Sequence, residues 1–214
     1  SNFVEIIDNC EFAKYAPAPF LSVVIEDCIK KGRDYYDEGP RYNTNYIQCT
    51  GLGTVTDSLS TLKKHVFEDK TFTMNTILDA VAKNFEGEEA LRQRIMNYSP
   101  FFGNDDDHAD DIALRVYNDL LEAIDGKPNI KTGGKYHLNM LSTTCHVYFG
   151  SVIGALPDGR KAWQPLSEGI SPVQGADQNG PTSVIKSASK MDHIKTGGTL
   201  LNQKFVPAIL KGET

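Results

Sequence analysis

Long apolar runs are missing: nothing in the 214 residues approaches the roughly 20 needed to span a bilayer. The N-terminal stretch SNFVEIIDN also lacks the basic and apolar regions of a signal peptide. Both absences lead us to expect a cytoplasmic protein with no membrane partner. Cysteine is scarce. Cys10, Cys28, Cys49 and Cys145 stand far apart with no C-x-x-C pair, which excludes a dense disulfide framework and reads most simply as reduced thiols. The net charge is -6 and Lys and Arg are scattered singly, so no basic stripe exists to follow a phosphate backbone. Nucleic acid is not an expected partner. Walker, H-E-x-x-H and serine-triad motifs are absent as well.

What is present is the patterning of an α/β chain, 40% hydrophobic and 23% charged, which suits one large domain or part of a larger one. Leu21, Val24, Ile25, Cys28 and Ile29 recur at helical spacing before Gly32, predicting an amphipathic helix over 20–31. Residues 42–49 read as a short extended stretch. A helix capped by Thr56 should turn Leu59, Leu62 and Val66 inward, and one capped by Thr73 should turn Ile77, Leu78, Val81 and Phe85 inward. Further helices are predicted over 88–97 and 107–124, the longer one with Ile112, Val116, Leu120 and Ile124 as its buried stripe. The run YHLNMLSTTCHVYFG, 136–150, reads as a buried strand that holds Cys145 and His146. Residues 154–180, rich in Gly, Pro, Asp and Ser, form a loop well beyond the usual length of about 4–6 residues, and long ordered loops often carry function. A short helix capped by Thr182 and a last strand over 199–206 complete the reading.

Local clusters give little chemistry. The run GNDDDHADD, 103–111, lacks the alternating oxygen ligands, central Gly and terminal Glu of an EF-hand, so its Asp residues are read as helix caps that oppose the dipole, and no metal site is assigned. Gly51 and Gly53 form a lone G-x-G before a helix, read as a tight strand-to-helix connection. His146 and His137 are read as paired core or rim residues.

Several stretches together resemble glycyl radical enzymes of the pyruvate formate-lyase family. They are YAPAPFLSVVIEDCIKKGRDY at 15–35, RYNTNYIQCTGLGTVTDSLSTLKK at 41–64, FFGNDDDHADDIA at 101–113, the long run from HVYFGSVIGALPDGRKAWQPLSEG to SASKMDH at 146–193, and GTLLNQKF at 198–205. The similarity covers nearly the whole chain in the family's order. Within the family, YNTNYIQC at 42–49 is most similar to the trans-4-hydroxy-L-proline dehydratase branch.

The resemblance implies an incomplete part of a ten-stranded α/β barrel built from two parallel half-barrels. It also implies a lyase in which a backbone glycyl radical, installed by an activating enzyme that uses S-adenosylmethionine and an iron–sulfur cluster, generates a thiyl radical that takes a hydrogen atom from substrate. In dehydratases of the family a glutamate two residues after that cysteine, in a G-C-V-E type motif, acts as base and water is expelled. The glycine lies in an R-V-x-G-Y type motif. Neither motif occurs here: no Cys is followed two residues on by Glu, and none of the 18 Gly has that context. We therefore expect residues 1–214 to be a barrel segment without the upstream cysteine loop and the downstream glycyl radical domain, inactive alone, with no catalytic residue and no bound cofactor of its own. Expected partners are the remainder of the polypeptide, the activating enzyme, a small-molecule substrate such as trans-4-hydroxyproline or a diol, and further copies in a homo-oligomer. The alternatives are a formate C-acetyltransferase with adjacent cysteines or a non-catalytic module. By the same resemblance Thr144, with Thr143 as substitute, is the candidate for binding substrate from a strand facing the barrel interior. Tyr42, Asn43 and Gln48 are candidates for supporting the active-site loops.

Overall fold

A computed structural model describes residues 12–141 and 143–205. Cys10 and Ser142 lie outside the described residues, as does the end of the strand expected over 199–206. The chain divides into two compact units, one made of the segment up to Ile47 with Leu120–Leu138, the other of Gln48–Asp119 with the residues from Asn139 onward.

The first unit opens with three short helices, α1 (Phe12–Tyr15), α2 (Pro19–Val23) and α3 (Glu26–Lys31). The single helix expected over 20–31 is thus broken. The run Val23, Val24, Ile25 is β-branched throughout and stiff in a helix. Asp34 also holds the first turn of α2 in place, accepting from the Ala18 amide and the Ser22 hydroxyl, each at 2.9 Å. Gly32 ends α3 in the left-handed conformation, φ 63°, as its position after the apolar stripe predicted. Of that stripe only Cys28 is buried. Strand β1 (Asn45–Gln48) pairs with β2 (Tyr136–Asn139). The pair is parallel: the Asn45 amide meets Lys135 O at 3.0 Å and the Cys49 amide meets Asn139 O at 2.9 Å, both strands advancing together.

In the second unit, α4 (Leu52–Leu62) runs into a π-helical turn, Lys63–Glu68, and is followed by α5 (Met74–Ala82), α6 (Glu89–Tyr98) and α7 (Asp107–Ile124), whose last turn belongs to the first unit. Thr73 caps α5, accepting from the Thr76 amide at 3.1 Å. Ile77, Ala80, Phe85, Ile95 and Ala155 form a core against which Leu62, Val66, Phe72, Val81 and Leu91 pack. Helix α4 starts at Gly51, φ 92°, rather than at Thr56, and of the residues expected to turn inward Leu62 and Val66 pack on that core while Leu59 is exposed. Thr54, Thr56, Asp57, Ser58, Ser60 and Thr61 are buried while Val55 and Leu59 are exposed. The buried polar face has a physical reason: Thr54, Asp57 and Ser60 satisfy the backbone of two loops. Asp57 accepts from the Phe102 amide at 2.8 Å, Ser60 donates to Pro100 O at 2.6 Å, and Thr54 and Ser167 exchange amide-to-hydroxyl bonds at 3.1 and 2.8 Å. On α7 the buried residues are Ala109, Asp110, Ala113, Tyr117 and Leu121, one step round from the expected stripe. Small alanines let the helix sit close, and the larger Ile112, Val116 and Leu120 flank it half-buried.

The expected strand over 136–150 is corrected. It ends at Asn139; Met140 forms one parallel bridge with Thr199, and α8 (Cys145–Val152) follows. Cys145 is therefore an exposed helical thiol. The region 199–205 contributes that single bridge rather than a strand. Helix α9 (Pro181–Ser189) begins after Gly180 with Pro at its first position, so Thr182 lies inside it. The long loop between α8 and α9 carries no regular element, as expected.

Candidate functional site

The long loop is anchored from within. Arg160 is buried, and its guanidinium donates to Gly154 O and Gly150 O, each at 2.7 Å, and to Gln164 O. One planar fork thereby satisfies carbonyls at the end of α8 and in the loop. Asp158 accepts from the Arg160 amide at 3.1 Å. Burial pushes the Asp158 carboxyl up to about 6, outweighing the opposing pull of the Arg160 amide and guanidinium. Burial also raises Asp57 well above the ordinary carboxylate range, and the charge of Asp158 adds to it. Such shifts occur at active sites and in closed structural networks alike. Here the Asp57 carboxylate and Arg160 hold backbone, which makes the network the frame of the loop.

Three segments cross at Met140, shortly before the candidate threonines. The Met140 amide donates to Gly198 O at 2.9 Å, the Leu200 amide to Met140 O at 3.1 Å, and the Ile170 amide to Leu200 O at 3.1 Å. Gly169, φ 49°, sits at the crossing; a Cβ there would lie 2.4 Å from Leu200 O and 2.9 Å from Met140 O. No other residue fits. Beyond the crossing, the Asn202 side-chain amide donates to the Glu168 carboxylate, and Glu168 Oε2 lies 3.9 Å from His146 Nδ1. His146 Nδ1 also lies 3.1 Å from Thr143 O. A carbonyl only accepts, so this nitrogen carries the proton.

Thr143 and Thr144 thus stand in the exposed turn before α8, not on a strand face. Thr143 has φ 49°, the left-handed region that a β-branched residue rarely enters. Thr144 occupies the N-cap position without making a side-chain cap. Backbone outliers of this kind cluster at ligand-binding sites. Among the supporting candidates, Tyr42 and Asn43 belong to the first unit and Gln48 to the second. Tyr42 is 80% exposed and Gln48 is exposed on β1. Asn43 is half-buried at a close crossing, where its carbonyl accepts from Asn129 Nδ2 at 2.8 Å and a Cβ on Gly134 would come within 2.3 Å of it. The sequence reading placed His146 beside Thr144 but missed Glu168 and Asn202 as the residues that approach it. The motif PLSEG in a long loop was the available signal.

Other clusters are self-contained. Asp106 Oδ1 accepts from the His108 amide at 2.9 Å, the capping role expected of the acidic run. Lys190 bridges Asp107 and Asp110 at 2.6 and 2.7 Å, and Lys186 meets Asp105 at 2.9 Å. Among the described residues no group of three His, Cys, Asp or Glu is placed to hold a metal. A cleft of about 740 Å³ is lined by Lys64, His65, Asp69, Arg94 and Tyr98 among others, but both nitrogens of the His65 ring are already engaged, by Thr71 and Ser99 at 3.0 and 3.1 Å.

Comparison with known proteins fits this architecture. Residues 2–150 match the family model "Pyruvate formate lyase-like" and residues 166–214 the model "Glycine radical". Trans-4-hydroxy-L-proline dehydratase of Clostridioides difficile is 53% identical over 97% of this chain, which covers 26% of that enzyme. The crystal structure of hydroxyproline dehydratase from the same organism, with trans-4-hydroxy-L-proline bound, aligns with TM-score 0.87 and 52% identity over 98% of this chain and 26% of that one. The glycerol-bound glycerol dehydratase of Clostridium butyricum aligns with TM-score 0.84 and 38% identity over 98% of this chain and 26% of its own. The chain belongs to the pyruvate formate lyase-like family of glycyl radical enzymes. It spans about a quarter of the length of the relatives it matches, an incomplete piece of their barrel fold.

Proposed function

We propose that this chain is part of a glycyl radical dehydratase that removes water from a small hydroxylated substrate, with trans-4-hydroxy-L-proline the first choice and diols the second. The observation that carries the substrate is the 53% identity to the hydroxyproline enzyme over nearly all of this chain. In this reading Thr144 and Thr143 offer their hydroxyls to substrate from the turn before α8, and Tyr42, Asn43 and Gln48 support the loops around it. The absence of the Cys-x-Glu and R-V-x-G-Y patterns from the sequence supports assigning the thiyl cysteine and the radical glycine to other parts of the polypeptide. Residues 2–150 then act as a barrel segment, residues 166–214 belong with the glycine radical region without holding the R-V-x-G-Y pattern, and the radical supplies hydrogen-atom abstraction that this chain's residues serve by binding and orienting substrate. An S-adenosylmethionine-dependent activating enzyme is the expected partner, the assembly is a homo-oligomer, and the location is cytoplasmic. No helix among the described residues is long and apolar enough to cross a membrane.

The test is a substrate panel on the full-length polypeptide after anaerobic activation. Turnover of trans-4-hydroxy-L-proline at a kcat/KM well above that for glycerol or 1,2-propanediol supports the reading. Turnover of neither class, with the radical present, refutes it.

A further inference from the structure

The strained conformation of Thr143 needs something to hold it, and the structure shows what does. Its carbonyl accepts from His146 Nδ1 at 3.1 Å, three residues on, across the start of α8. His146 has two further contacts, one through its backbone and one through its ring. Its own carbonyl accepts the Leu166 amide at 3.1 Å, and Glu168 Oε2 lies 3.9 Å from Nδ1. Glu168 is fixed in turn by the Asn202 side chain, and the Asn202 amide donates to Ser171 Oγ at 2.9 Å. His146 of α8, Glu168 of the long loop and Asn202 after Gly198 therefore form one series of contacts that ends at the Thr143 carbonyl. The hydroxyls of Thr143 and Thr144 make no hydrogen bond among the described residues, so this series of contacts fixes the backbone and leaves the side chains available.

From this geometry we infer that His146 is a positioning residue: its Nδ1–H locks the left-handed turn at Thr143 and so sets where the Thr143 and Thr144 hydroxyls meet substrate. The inference rests on the proposed substrate contact of those threonines. An imidazole at this place is chosen for the position of one nitrogen. That makes the choice of replacement diagnostic, since an asparagine amide sits where Nδ1 does and a glutamine amide where Nε2 does.

The experiment uses the activated full-length enzyme with trans-4-hydroxy-L-proline, measuring KM, kcat and glycyl radical content by electron paramagnetic resonance. His146→Asn should keep KM within about threefold, whereas His146→Gln and His146→Ala should raise it by about tenfold, the loss of roughly one hydrogen bond. Radical content should stay unchanged in the Asn and Gln variants, which separates positioning from general misfolding. Should the Ala variant fail to fold, the contrast between Asn and Gln decides alone. Thr143→Val and Thr144→Val are measured in parallel. A raised KM in either of these together with equal KM in the Asn and Gln variants overturns the role of His146 while the substrate contact stands. Unchanged KM in both threonine variants overturns the substrate contact and this inference with it.

Discussion

Arg160 and Asp158 show how individual residues hold the loop that carries the candidate site. Replacing Arg160 by Met would leave the carbonyls of Gly150, Gly154 and Gln164 without their donor and Asp158 without its cation. The expected loss is about 3 kcal/mol, read as a lower denaturation midpoint of the full-length polypeptide. Asp158 adds a pH dependence of definite sign. In the folded chain it keeps its proton up to about pH 6, whereas the unfolded chain releases it near 4. Between those values the unfolded state binds fewer protons, so the contribution to stability is complete below about pH 4 and is lost as pH rises through 6. The window is worth about 3 kcal/mol. Asp158→Asn should therefore melt higher than the parent at pH 7, with the difference vanishing near pH 4; equal melting at both pH values would refute the assignment.

Among the elements, α6 was legible in its place along the chain, and α5 in its cap and most of its inward face: Thr73 caps as expected and Ile77 and Phe85 are buried, whereas Leu78, also expected inward, is exposed. Helix α4 was legible in existence and in the inward turn of Leu62, but not in its buried polar face. Its Thr54, Asp57 and Ser60 bond loops 40 or more residues away in sequence, information that no local period contains. The 136–150 run misled for a related reason. Its β-formers describe local preference, while a left-handed turn at Thr143 and the guanidinium at the end of α8 impose a helix. The candidate threonines were placed on a strand, whereas they stand in the turn before α8, and their neighbours His146 and Glu168 come together only through the loop. Close packing of α8 on that loop gives a sharp test. A Cβ on Gly150 would lie 2.3 Å from Gln164 O and 2.7 Å from Pro165 Cα, whereas Gly154 faces open space. Gly150→Ala should destabilise by about 1–3 kcal/mol or more, and Gly154→Ala by much less, in thermal melts.

For the whole molecule, the exposed apolar side chains matter most. Tyr148 and Val152 on α8, Trp163 in the long loop and Ile194 are between 66% and 95% exposed, in a chain that spans a quarter of its relatives. Apolar surface left uncovered on this scale drives association. The isolated 214-residue chain should sediment as oligomers or aggregates, or require its complementary piece for solubility; a monodisperse monomer at high concentration would contradict this.

The central claim is that this chain works only as a segment of a glycyl radical dehydratase. It is tested most directly by treating the 214-residue chain and the full-length polypeptide with the activating system and assaying dehydration of trans-4-hydroxy-L-proline alongside radical content. The account expects a glycyl radical and turnover in the full-length polypeptide and neither in the isolated chain. A radical or turnover in the isolated chain, or an activated full-length polypeptide that dehydrates nothing, would contradict it.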